Sequence, residues 1–114
     1  MNIKIVEDTL SVNELKEIAQ EFYGSMIKGV VDIERNVIAL GGEYHMDANV
    51  VLLEHGSKQG DVWGFNLYPG ESGEKFIEYN SLINIKPVLG NRSPDIQDKN
   101  VQKKIAEIVS KHVE

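Results

Sequence analysis

Between Gly41 and Ser93 the chain gathers most of the residue types that can do chemistry. Glu43, His45 and Asp47 alternate, and in an extended chain alternate side chains share a face. Two carboxylates and an imidazole so placed could hold a divalent ion such as zinc or manganese. Equally, a carboxylate beside His45 would orient it as a general base, with Glu43 and His45 as the catalytic pair. A polar loop after the Gly41-Gly42 turn is the plainer reading. Glu54-His55-Gly56-Ser57 reads as a helix end, where a histidine meets the negative dipole terminus and a glycine supplies the stop. Ser57 lacks the G-x-S-x-G context of a nucleophile elbow. In the string from Trp63 to Pro69, Trp63, Phe65 and Leu67 share one face and belong to the core. Asn66 and Tyr68 share the other, and would approach Glu78, Asn80 and Asn84 if two long strands pair. Such an amide-rich face binds a polar ligand through hydrogen bonds, or is simply the solvated side of a sheet. Asn91 and Arg92, in the loop Gly90 to Asp95, suit an anion: a guanidinium among small polar residues matches carboxylate or phosphate. Alternatively Arg92 pairs with a carboxylate of the domain. The loop does not match the phosphate-loop pattern.

These residues need a scaffold, and the flanks supply it. Alternation over 2–6 predicts a first strand. Ser11 and Glu14 form a capping box, with Leu10 and Leu15 as its hydrophobic staple. Leu15, Ile18, Ala19 and Phe22 then follow at helical spacing, with Gly24 as the stop. Lys28 to Glu34 and Val37 to Leu40 read as a hairpin turning at Arg35-Asn36. Asp47 would cap a short helix, Ala48 to His55, although Val50, Val51 and Leu53 also suit a strand. Val62 to Tyr68 is a strand. The strict alternation from Phe76 to Lys86 predicts one long strand, bent near Asn80-Ser81. Asp98 caps a last helix with Val101, Ile105, Ile108, Val109 and His112 on one stripe. The expected fold is a single α+β domain over 1–114. It has a mainly antiparallel sheet of about five strands, the N-terminal and C-terminal helices packed on one face, and one short helix besides.

Composition narrows the function classes. A chain of 114 residues suits one domain. There is no cysteine, which excludes disulfides, thiolate metal sites and a cysteine nucleophile. With 18 acidic and 12 basic residues the net charge is −6, which opposes nucleic acid and anionic membranes as partners. No apolar run is long enough to span a bilayer, and the N-terminus lacks a signal-peptide pattern, so a cytoplasmic location is expected.

Several strings together carry a resemblance. Gly41-Gly-Glu-x-His45, Gly56-Ser-Lys-Gln59 leading to Trp63-Gly-x-Asn-x-Tyr-Pro69, and Ile83-Asn-Ile-Lys-Pro87 followed by Gly90-Asn-Arg-Ser93 resemble a family of small prokaryotic proteins, the domain of unknown function 5674. The likeness covers nearly the whole chain and implies a free-standing single-domain protein. It points to Glu43, His45, Trp63, Asn66, Tyr68, Asn84, Asn91 and Arg92 as matching positions, and implies no mechanism.

Two functional readings follow. The first is a hydrolase-type enzyme or a binder of a small anionic molecule. Here Glu43 and His45 act as base or metal ligands, Asn66, Tyr68, Asn84 and Asn91 as polar contacts, and Arg92 as the anion clamp. It requires these side chains to converge. The second is a non-catalytic interaction module, most simply a homodimer, joined through the Trp63 and Tyr68 segment or a sheet edge.

Overall fold

The computed structural model describes residues 2–114. Five strands form one antiparallel sheet: β1 (Lys4–Val6), β2 (Ile27–Asp32), β3 (Val37–Leu40), β4 (Val62–Leu67) and β5 (Ile77–Glu78), in the order β1-β3-β2-β4-β5. Three helices complete it: α1 (Val12–Ala19), α2 (His45–Glu54) and α3 (Lys99–His112). The α+β class, the five strands and the three helices match the expectation. Among the described residues no helix is long and apolar enough to cross a membrane.

Local signals set most boundaries. Ser11 Oγ accepts from the Glu14 N–H, and Glu14 Oε1 accepts from the Ser11 N–H, closing the capping box of α1. Asp98 Oδ1 accepts from the Asn100 N–H and starts α3. The β2–β3 turn runs through Asn36 at φ 57°, a left-handed conformation that asparagine tolerates. α1 ends earlier than its spacing predicts, at Ala19; an irregular turn follows, Phe22 lies 42% exposed off the apolar face, and the Gly24 N–H closes onto the Ala19 carbonyl.

The expected sharing of one face holds for the N-terminal and C-terminal helices and is corrected for the short one. α1 and α3 do share a face, packing Leu15, Ala19, Ile105, Ile108 and Val109 against Ile27, Val31, Ile38, Leu40, Phe65 and Leu67. α2 covers the other, where Ala48 and Leu52 meet Val30, Ala39 and Val62. The physical reason is legible in β4, which is buried at every position. A sheet with one wet face would alternate.

The long strand over Phe76–Lys86 is also corrected. Pairing stops after Ile77 and Glu78, and a 3₁₀ turn occupies Leu82–Asn84. Ser81 Oγ accepts from the Ile83 N–H and so initiates that turn. The turn lies on Gly64, where an added Cβ would meet Ser81 Cβ at 2.5 Å. A glycine is required there by close approach rather than by its backbone angles.

Candidate functional site

Gly41 and Gly42, at φ 113° and 94°, swing the chain out of β3 straight into α2. Helical geometry therefore replaces the alternation expected of Glu43, His45 and Asp47. Asp47 is the third residue of α2 rather than its cap. Its Oδ2 reaches back to accept from the N–H groups of Glu43 (3.0 Å) and Tyr44 (2.9 Å), satisfying donors that a helix start leaves open. Glu43 is exposed, and its carbonyl accepts from the Tyr23 hydroxyl. His45 turns inward and is 7% exposed. Its Nε2 lies 3.0 Å from the Phe65 carbonyl oxygen; a carbonyl only accepts, so this nitrogen carries the proton. Burial holds the imidazole below its ordinary pKa and nearby Lys28 adds to that, against the Phe65 bond, Asn66 and Glu78, which favour the proton. Among the described residues no three His, Asp or Glu side chains are placed to hold a metal ion. The donor set Glu43, His45 and Asp47 is split between solvent, the β4 backbone and the α2 N-terminus.

The strand pairing brings Asn66 and Tyr68 to Glu78, as the shared face predicts. Asn66 Nδ2 donates to Glu78 Oε1 at 2.8 Å and more weakly to the Asn80 carbonyl, while the Tyr68 hydroxyl donates to the same Glu78 oxygen at 3.0 Å. Burial, then the adjoining Glu78 carboxylate, raises the Tyr68 pKa. Asn66 Oδ1 is enclosed and has no hydrogen-bond partner. His45, Asn66, Tyr68, Glu78 and Lys28 thus form one polar cluster at the C-terminal end of β4.

Asn84 does something different. Its side-chain amide pairs with the backbone of Gly64: the Gly64 N–H donates to Oδ1 at 2.7 Å, and Nδ2 donates to the Gly64 carbonyl at 2.9 Å. Side chain here replaces a neighbouring strand. Asn91 then fastens the following loop. Its Nδ2 donates to the carbonyls of Asn84, Ser93 and Asp95, and its Oδ1 accepts from the Gln97 N–H. Arg92 is exposed; its N–H is held by Gln97 Oε1, and no contact among the described residues joins its guanidinium to Glu43 or His45.

Sequence reasoning missed a buried acid. Asp32 is fully enclosed, and its carboxylate accepts from the Glu34 and Arg35 N–H groups and from the Ser57 hydroxyl at 2.6 Å. Arg35 Nη1 donates to the His55 carbonyl at 2.7 Å, so the β2–β3 turn is tied to the end of α2. An acid ending an apolar run just before a turn was the available signal. Trp63, 5% exposed, is core as expected, though its indole N–H has no partner. The Lys86 ammonium lies 5.5 Å from the centre of that ring and donates to the Gln59 carbonyl.

Fold and site together define a small α+β domain whose antiparallel sheet is covered on both faces and whose interior amides brace irregular backbone. The chain belongs to the protein family of unknown function DUF5674, whose model matches residues 4–112. No curated protein and no solved structure gives a significant match.

Proposed function

We propose that the chain is a non-catalytic interaction module that docks a protein chain on the outer side of α2. The observation that carries this reading is the distribution of exposed apolar side chains. Of eleven large hydrophobic residues exposed among the described residues, six (Tyr44, Met46, Val50, Leu53, Leu82 and Ile85) lie on α2 or on the turn that packs beside it. Met46, Val50 and Leu53 follow i, i+4, i+7 spacing and form an outward stripe, while Ala48 and Leu52 face the sheet. A helix that is apolar on both sides belongs between two layers, and α2 has only one. The neighbouring turn extends the surface. Ile83 packs into the α2 core, leaving Leu82 and Ile85 exposed beside it. Gln59 bridges the two segments, exchanging hydrogen bonds with Asn49 of α2 and accepting from Lys86.

The hydrolase or anion-binding reading is less well supported. His45, Asp47, Asn84 and Asn91 are committed to backbone groups, which leaves Glu43 and Arg92 without a shared centre. Trp63 is interior and Tyr68 half-buried, which favours α2 over the Trp63 and Tyr68 segment as the docking surface. A photo-crosslinking residue in place of Val50, in the native cell, tests the reading. One discrete protein adduct, absent when the same residue replaces exposed Lys16 on α1, is expected. Lack of any discrete adduct would overturn it.

A further inference from the structure

Resting on that docking reading, we infer that the partner is a second copy of this chain, paired two-fold through the α2 stripe and the adjoining Leu82–Ile85 turn. Charge argues for the occupant. The chain carries a net charge of −6, so most approaches of one copy to another bring acids together. A two-fold pairing sets a surface patch against its own copy, and a patch of one charge sign would repel itself. This face avoids that. Tyr44, Met46, Val50, Leu53, Leu82 and Ile85 are uncharged, and the cation among them, Lys86, donates its ammonium to the Gln59 carbonyl. Glu43, Asp47 and Glu54 border the stripe and fall at the rim, where interfaces are ordinarily polar and wet. A strongly charged heterologous partner would find little on this face to recognise.

The other routes to self-association are poorly provided. β1 is three residues long with Lys4 exposed, and β5 is two residues long. Short and lysine-marked edges resist strand addition. Helix pairing has the better geometry. A stripe at i, i+4, i+7 over a ten-residue helix packs against its mate along about 15 Å. A stable interface takes roughly 800 Å² from each partner, about an eighth of the 6388 Å² surface. The six exposed apolar side chains on α2 and the adjoining turn offer the centre of it.

The test is sedimentation velocity with light scattering from about 1 µM to about 1 mM, the range in which weak and moderate dimers separate. Wild type is expected at twice its 12.8 kDa mass. Val50→Glu, and separately Leu82→Glu, are expected to run as monomers with unchanged circular dichroism; both sites are exposed, at 44% and 77%, so the fold tolerates them. Lys16→Glu on α1 should remain dimeric. The chain has no cysteine, so Val50→Cys introduces a single thiol, and oxidation should join two copies. Wild type at 12.8 kDa throughout overturns the second copy, as does a dimer indifferent to both glutamates. A monomer that still yields a discrete photo-adduct to a different protein overturns the second copy while leaving the docking reading standing. A monomer without any adduct overturns both.

Discussion

Asn84 shows how much a single side chain can hold. Its amide supplies both hydrogen bonds that a neighbouring strand would have given Gly64. Replacing it with alanine strands a buried N–H and a buried carbonyl, at about 1–3 kcal/mol each. We expect Asn84→Ala to lose roughly 2 kcal/mol or more in urea unfolding, with a smaller loss for Arg92→Ala, whose guanidinium is exposed. His45 makes a second prediction. Its folded pKa lies below the ordinary 6.5, chiefly through burial, so the unfolded chain binds the proton more readily. Stability is then fully present above pH 6.5, falls as the pH drops from there towards the folded value, and levels off once both states are protonated. Unfolding midpoints measured downward from pH 8 should show this decline, and His45→Gln should flatten it. A protonated imidazole at the N-terminus of α2 also opposes the helix dipole. The chemistry of these residues was visible in the sequence; their commitment was not. An asparagine that pairs with distant backbone looks, in sequence, like one that binds a ligand, because only the fold says which carbonyl it meets.

At the scale of elements, what was legible followed from short-range physics. The box of Ser11 and Glu14, the cap of Asp98 and the left-handed Asn36 each act within a few residues, and each is found where the sequence places it. The segment from Phe76 to Lys86 failed for a corresponding reason. Alternation records which residues prefer opposite sides. It does not record that Ser81 offers its own hydroxyl to the Ile83 N–H, nor that the strand opposite presents a glycine on which a 3₁₀ turn can lie. That fit gives a prediction. Gly64→Ala would set a methyl 2.5 Å from Ser81 Cβ and 3.1 Å from Ile83 Cγ1. Overpacking of this kind costs about 1–3 kcal/mol, and the displaced turn should show as faster amide exchange over 81–84. Gly60→Ala, with nothing within 4 Å of the new methyl, serves as the control. The helices on both faces were also recoverable. Val30-Val31 and Ile38-Ala39-Leu40 are consecutive apolar residues, which a half-wet sheet does not need.

For the molecule as a whole, the two apolar cores differ in what lies beyond them. The core under α1 and α3 gathers most of the large buried side chains, and the core under α2 is the smaller. α2 is therefore held by fewer buried apolar side chains than α1 and α3. If two copies pair there, apparent stability becomes a mass-action quantity, and the melting temperature should rise with protein concentration for wild type and not for Val50→Glu. The crosslink between Asn84 and Gly64 has a consequence at this scale too. β5 covers β4 only at Asn66 and Leu67, so part of that strand would otherwise offer bare peptide groups to any extended chain. The side-chain amide occupies the donor and acceptor at which templated growth would begin. If copies pair through α2 at high concentration, this stretch of β4 is already stoppered from within and gives an extended chain no place to start a fibril.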